Sequence, residues 1–263
     1  MSNTTIARLR GDLVYWSTIA LDLFFPPRCV GCRQAGSWLC DGCAQAVEPT
    51  SERICERCGR PQTERTACCP RCLHEPDGPL RFARAATQHQ GPIRGGIHQL
   101  KYGRVTALAP LLARYLVAAL ERPPWPLLMR YVDGVTPVPL HDLRRRERGY
   151  NQAELLAQAF CQQAGLPFQP NWIHRQRMTH SQVGLNAQER KANVADAFRA
   201  EPLVQGRTVL LVDDVYTTGA TLAACATAAM GAGATAVFAL TLSAAQKFDD
   251  DASGVDLDRA FAL

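Results

Sequence analysis

A chain of 263 residues, 47% of them hydrophobic, can bury one full α/β core and still carry a small attached module. Its net charge of +5 is a mild excess, which suits an anionic small molecule as well as nucleic acid and so selects neither. The most apolar N-terminal stretch, residues 13–25, is too short to span a bilayer, is interrupted by Asp22 and has no small-residue cleavage site, so a membrane span and a signal peptide are both disfavoured and a cytoplasmic protein is expected.

In chain order, residues 1–28 read as an amphipathic lead-in helix that ends at Pro26-Pro27. Residues 29–75 hold nine of the eleven cysteines. In a reducing compartment such clustered thiols most often hold a metal. They form four C-x-x-C knuckles, Cys29/Cys32, Cys40/Cys43, Cys55/Cys58 and Cys69/Cys72. A two-residue spacer lets both sulfurs reach one ion, and tetrahedral zinc takes four such thiolates. Sequential pairing predicts one site from Cys29, Cys32, Cys40 and Cys43 and a second from Cys55, Cys58, Cys69 and Cys72. It closes smaller loops than interleaved pairing, the alternative. Cys68 is left over, or exchanges with Cys69. Free thiols or an iron–sulfur cluster are the rivals to zinc. Four thiolates leave no open coordination position, so two structural ions are expected, supplying folding energy to a module with little aliphatic core. Six arginines balance six acids from residue 29 to 75, which favours a structural or docking role over strong nucleic-acid binding.

Residues 76–130 read as a helical connecting or hood segment. Leu108, Leu111, Leu112, Tyr115, Leu116 and Ala119 recur at three- and four-residue spacing, and Pro123, Pro124 and Pro126 end the pattern. From residue 131 strands and helices alternate: a strand over 132–138, a helix over 152–164, a compact apolar strand over 208–212, an Ala-rich helix over 218–230 and a strand over 236–242. This order predicts an α/β fold with a doubly wound parallel sheet over 131–245. Residues 246–263, rich in aspartate, read as a mobile acidic tail.

The segment that carries chemistry runs from Val209 to Thr221: an apolar strand, the acids Asp213 and Asp214, then Val215, Tyr216, Thr217, Thr218, Gly219, Ala220 and Thr221 opening a helix. A strand end in a parallel sheet is where α/β proteins bind ligands. The turn and helix N-terminus offer amide donors and a partial positive charge that suit phosphate. The neighbouring carboxylates repel phosphate but accept hydrogen bonds from a vicinal diol. A ribose 5-phosphate satisfies both halves, whereas a merely capped helix needs neither two acids nor three threonines. No nucleotide-binding glycine loop of the NTPase or dinucleotide kind is present.

This stretch resembles the phosphoribosyl-pyrophosphate motif of type I phosphoribosyltransferases. The resemblance implies that Asp213 and Asp214 hold the ribose hydroxyls and that Tyr216, Thr217, Thr218, Gly219, Ala220 and Thr221 hold the 5-phosphate. It further implies a pyrophosphate loop after the first core strand, with Pro137 and Arg148 as substrate-binding residues. A mobile catalytic loop would carry Arg175, Arg177 and Lys191. The four knuckles, Leu100-Lys101-Tyr102, Arg148-Gly149-Tyr150-Asn151-Gln152, Arg175-x-Arg177-x-Thr179-x-x-Gln182, Arg190-x-x-Asn193 and the phosphate motif together are similar to the ComF family. That family joins a double zinc ribbon to a phosphoribosyltransferase domain and is associated with natural competence. The resemblance implies phosphoribosyl pyrophosphate with Mg2+, an unidentified nucleobase-like acceptor, and single-stranded DNA or a competence-machinery protein as partners. It leaves a transferase, a non-catalytic sensor and a nucleic-acid adaptor as rival readings. Retention of the basic loop residues tilts the balance toward the transferase.

Overall fold

A computed structural model describes residues 26–76, 78–176 and 197–245. Nearly all of the expected lead-in helix, the segment holding Arg177 and Lys191, and the acidic tail lie outside them.

The described residues form six strands: β1 (Phe82–Gln88), β2 (Gly134–Pro137), β3 (Ile173–Arg175), β4 (Phe198–Ala200), β5 (Thr208–Tyr216) and β6 (Ala236–Ala244). Four of them build a parallel sheet in the order β1-β6-β5-β2, and β3 and β4 pair antiparallel beside it. The alternation of side chains along β5 assigns its residues to two cores. Leu210 and Val212 face a layer made by α4 (Leu108–Ala119) and α7 (Gln152–Ala164), through Leu112, Leu116, Leu156 and Phe160. Val209 and Leu211 face α8 (Ala220–Gly231), where Cys225, Ala226 and Ala229 let the helix lie close. Burial on both faces explains why this strand reads as an unbroken apolar run. Truncating a fully buried leucine such as Leu210 to alanine costs about 2–5 kcal/mol by the usual cavity relation.

Two departures from the sequence reading matter for function. The segment 76–130 is not helical throughout, because Phe82–Gln88 forms the edge strand β1. Its alanines disguise it, since alanine is depleted in strands and common in helices. The stretch otherwise contains α3 (Gly91–Lys101), α4 and the short α5 (Trp125–Leu128). Second, β5 does not stop at Val212. It continues to Tyr216, pairing Asp213 with Thr241 and Val215 with Ser243. The acid pair therefore sits on the last rungs of the strand and inherits its rigidity.

The cysteine module forms two small ribbons, one ending in α1 (Asp41–Gln45) and the other in α2 (Pro70–His74). The first lies on helices. A Cβ on Gly95 of α3 would come within 2.5 Å of the Val30 carbonyl oxygen, and the Tyr115 hydroxyl of α4 donates to the Ala44 carbonyl at 3.1 Å. The second lies on β1, whose Ala83 N–H donates to the Arg57 carbonyl at 3.0 Å. The segment between the ribbons continues along that strand: Thr50 N–H donates to Ala86, and Gln88 N–H to Glu48. At the other end of the sheet, residues 167–169 bond to Val135 of β2 from both sides. Among the described residues no helix is long and apolar enough to cross a membrane.

Candidate functional site

The carboxyl ends of β5, β6 and β1 converge on the acid pair. Asp214 is buried, and its Oδ1 lies 3.0 Å from Nζ of Lys101, the last residue of α3. Its Oδ2 is also buried and has no hydrogen-bond partner. A buried carboxylate oxygen left unpaired is costly unless something else occupies it in the working state. Burial works against the Lys101 ammonium, but the carboxylates of Asp214 and Asp213 outweigh it and raise its pKa. Asp213 accepts the Asp214 N–H at 2.8 Å. Burial first, and then repulsion from Asp214, push its carboxyl up to about 7, against the opposing pull of that N–H and of Lys101 and Arg175. Behind the pair, His89 Nδ1 and Ser243 Oγ are 2.9 Å apart, and Ser243 donates to the Asp214 carbonyl. Burial and the nearby Lys101 charge lower the His89 pKa to about 4, so the ring is neutral near pH 7.

The turn from Thr217 to Gly219 then delivers the chain into α8. Gly219 has φ +77°, and a Cβ there would lie 2.7 Å from the Tyr216 ring. Both the left-handed backbone and the close approach require glycine. Thr218 Oγ1 accepts the Ala220 N–H at 3.3 Å, closing the first turn. The amides of Thr217, Thr218 and Gly219 enter no backbone hydrogen bond among the described residues. Together with the α8 N-terminus they make a cradle for an oxyanion. On the far side, the Thr218 carbonyl accepts Arg60 Nη2 and Arg71 Nη1, each at 2.8 Å.

Pro137 ends β2 and pairs with Val212, one residue short of the acid pair. Arg148 ends α6 (Asp142–Arg148), bonds to Gln152 and lies 5.5 Å from the centroid of the Tyr102 ring. Arg175 ends β3 and stands 5.3 Å over the Phe198 ring. Burial lowers its pKa, while Cys225 and Asp213 partly offset that effect. Arg177 and Lys191 lie outside the described residues. Sequence reasoning missed Lys101, Arg60 and Arg71 as members of this site. Lys101 was visible only as the middle of a Leu-Lys-Tyr triplet, and the two arginines were hidden in a module whose charges cancel.

In the ribbons, Sγ of Cys40 lies 3.6 Å from Cys29 and 3.7 Å from Cys32. In the second cluster the Cys58–Cys69 separation is 3.7 Å and Cys55–Cys72 is 4.0 Å. A tetrahedron with Zn–S bonds of about 2.3 Å has edges of about 3.8 Å. All four sulfurs of each sequential set, Cys29/Cys32/Cys40/Cys43 and Cys55/Cys58/Cys69/Cys72, lie within 4.8 Å of one another. The donor sets therefore fit two structural zinc ions, and Cys68 belongs to neither. Burial raises the Cys29 thiol, but the N–H groups of Cys40, Cys32 and Gly31 prevail and hold it at about 6. Such amide donors suit a thiolate ligand.

Residues 20–73 match the double zinc ribbon domain family, and residues 108–256 match the phosphoribosyl transferase domain family. The DNA utilization protein YhgH of Escherichia coli K12 is 35% identical over 219 residues, covering 82% of this chain and 96% of that protein. Competence protein F of Haemophilus influenzae is 31% identical, over 76% of this chain and 89% of that protein. Among solved structures, an adenine phosphoribosyltransferase from Thermoanaerobacter pseudethanolicus is 16% identical over 61% of this chain and 79% of that one, with a TM-score of 0.36. With two ribbons fitted for zinc, a parallel sheet ending in an acid pair and a glycine turn, and relatives of this length and identity, the chain belongs to the ComF family.

Proposed function

We propose that the chain binds phosphoribosyl pyrophosphate with Mg2+ at the carboxyl end of β5 and transfers the phosphoribosyl group to a nitrogen acceptor during the handling of DNA. The observation that carries this reading is the unpaired, buried Asp214 Oδ2 next to a turn whose glycine and amides suit a phosphate. In this reading Asp213 and Asp214 hold the ribose diol, and Tyr216 to Thr221 hold the 5-phosphate. The carboxylates also fit a hard cation such as Mg2+, which would neutralise charge on the pyrophosphate. Arg175 serves the leaving group in this reading, the role that the family resemblance also implies for Arg177 and Lys191. The C1–O bond to pyrophosphate breaks as an N–C1 bond forms, and the acceptor nitrogen gives up its proton. The protein contributes positioning and charge stabilisation and needs no covalent nucleophile. The relatives named for DNA utilization and competence support a role in DNA use, with a nucleobase-like group, single-stranded DNA or a competence-machinery protein as partner.

Calorimetric titration with phosphoribosyl pyrophosphate and Mg2+ tests the binding. An acid pair that must be ionised to receive the diol makes affinity depend on the Asp213 proton, lost near pH 7. Affinity is then expected to rise about tenfold between pH 6 and pH 8, because the competent fraction rises by that factor. Asp213→Asn should weaken binding and flatten the profile. Pyrophosphate release on adding candidate bases separates a transferase from a sensor. Absence of any binding heat across this pH range, with Mg2+ present, refutes the proposal.

A further inference from the structure

We propose that Arg60 and Arg71 of the second ribbon are positioning residues of the phosphate turn, so that this ribbon is a working part of the sugar-phosphate site. The inference rests on the reading of Tyr216 to Thr221 as the turn that holds a 5-phosphate. The Thr218 carbonyl receives both guanidinium groups at 2.8 Å, from residues 158 and 147 positions away. A carbonyl has two lone pairs, and here each meets a charged donor. Arg60 follows the ligand Cys58 by two residues, and Arg71 sits between the ligands Cys69 and Cys72 on α2. Arg60 is only 4% exposed.

The ribbon is keyed to the sheet by contacts that leave it little freedom. Gly59 has φ +70°, and a Cβ there would lie 2.3 Å from the Ala83 carbonyl oxygen of β1. Arg57 accepts the Ala83 N–H through its carbonyl and donates from its guanidinium to the Cys72 carbonyl at 3.1 Å. Both metal-ligand segments are thus tied to each other and to β1. A ribbon with no role at the turn has no need of one buried and one half-buried guanidinium aimed at a single carbonyl of that turn.

Peptide geometry supplies the mechanism. In a trans peptide the C=O and the following N–H point in opposite directions. Holding the Thr218 oxygen against the ribbon therefore turns the Gly219 N–H away from it, across the turn. Charged donors on the oxygen polarise the peptide and strengthen that N–H as a donor. The two guanidinium charges also favour an anion bound on the other side of the turn. By linkage, a ligand that benefits from the ordered ribbon must in turn stabilise it. A sugar phosphomonoester should therefore tighten the hold on the second zinc and leave the first unaffected.

The test uses the full chain carrying two zinc ions, with ribose 5-phosphate as the probe. Arg71→Ala is expected to weaken binding about 10- to 100-fold, the range for a lost charged hydrogen bond, with both zinc ions retained. Arg71→Lys should recover only part of the loss, because an ammonium keeps the charge without the planar fork. Saturating ribose 5-phosphate should slow release to a chelator of one zinc out of two in the parent, and of none in Arg71→Ala. If Arg60→Ala does not fold, the half-buried Arg71 decides the matter alone. An Arg71→Ala protein with two zinc ions and the parent's affinity overturns the inference and leaves the phosphate reading standing. So does zinc release from the parent that ignores the ligand. A parent that fails to bind ribose 5-phosphate overturns the phosphate reading itself, before any variant is made.

Discussion

The first ribbon rests on helices, with Val30 against Gly95 of α3 and Ala44 against Tyr115 of α4. The second rests on a strand, with Gly59 and Arg57 against Ala83 of β1, and extends two arginines to the turn before α8. Their ligand sets are the same four thiolates with the same knuckle spacing, so the metal chemistry cannot distinguish them. What differs is the surface each is seated on. A structural zinc supplies local folding energy, and the neighbours decide whether that rigidity is spent on packing or on a binding site.

The largest expected effect comes from removing one ligand in each ribbon in turn. Structural zinc contributes on the order of 10 kcal/mol to small modules of this kind. Cys58→Ser should lower the zinc content from two to one and abolish ribose 5-phosphate binding. Cys32→Ser should lower the zinc content equally and leave that affinity within a few-fold of the parent's. Metal analysis and calorimetry on the same preparations check both, and equal losses of affinity would erase the distinction drawn here. Next in size is a pair of glycines. Gly59→Ala meets both a positive φ and a backbone oxygen at 2.3 Å, and should cost about 3 kcal/mol in denaturant unfolding while also weakening the ligand. Gly95→Ala meets the Val30 oxygen at 2.5 Å, should cost about 2 kcal/mol by crowding alone, and should spare the ligand. The smallest effect is Tyr115→Phe, which deletes the hydrogen bond to Ala44 and should cost about 1 kcal/mol with unchanged affinity.

Much of this architecture could be read before any coordinates. The knuckle spacing pointed to the two thiolate clusters because ligand geometry is local. Helix α7 was legible to the residue: Asn151 caps its start by accepting the Ala153 N–H, and Gly165 takes the left-handed conformation at its end. The strand–acid–turn segment was legible because two acids after an apolar run are hard to explain otherwise. Strand β1 was not, since Phe-Ala-Arg-Ala-Ala-Thr-Gln has weak strand character and is held by pairing with β6. Nor was the Lys101–Asp214 ion pair, which joins residues 113 positions apart across the fold. Arg60 and Arg71 were equally hidden, because a balanced charge count says nothing about where two arginines are aimed. Contacts of this range belong to the tertiary structure, and single-segment patterns do not encode them.

The seating of the cysteine module on β1 has one further consequence. An outermost strand normally displays a row of unsatisfied N–H and C=O groups, an adhesive margin onto which a second chain can add. Here Ala83, Ala86 and Gln88 spend that margin on Arg57, Thr50 and Glu48, as Val135 at the opposite border does on Pro167 and Gln169. Stripping the metal would therefore do more than loosen a small appendage. It would uncover a sticky border of the sheet, and the chelated protein should self-associate by strand addition, which makes the zinc a guard on solubility as well as a brace.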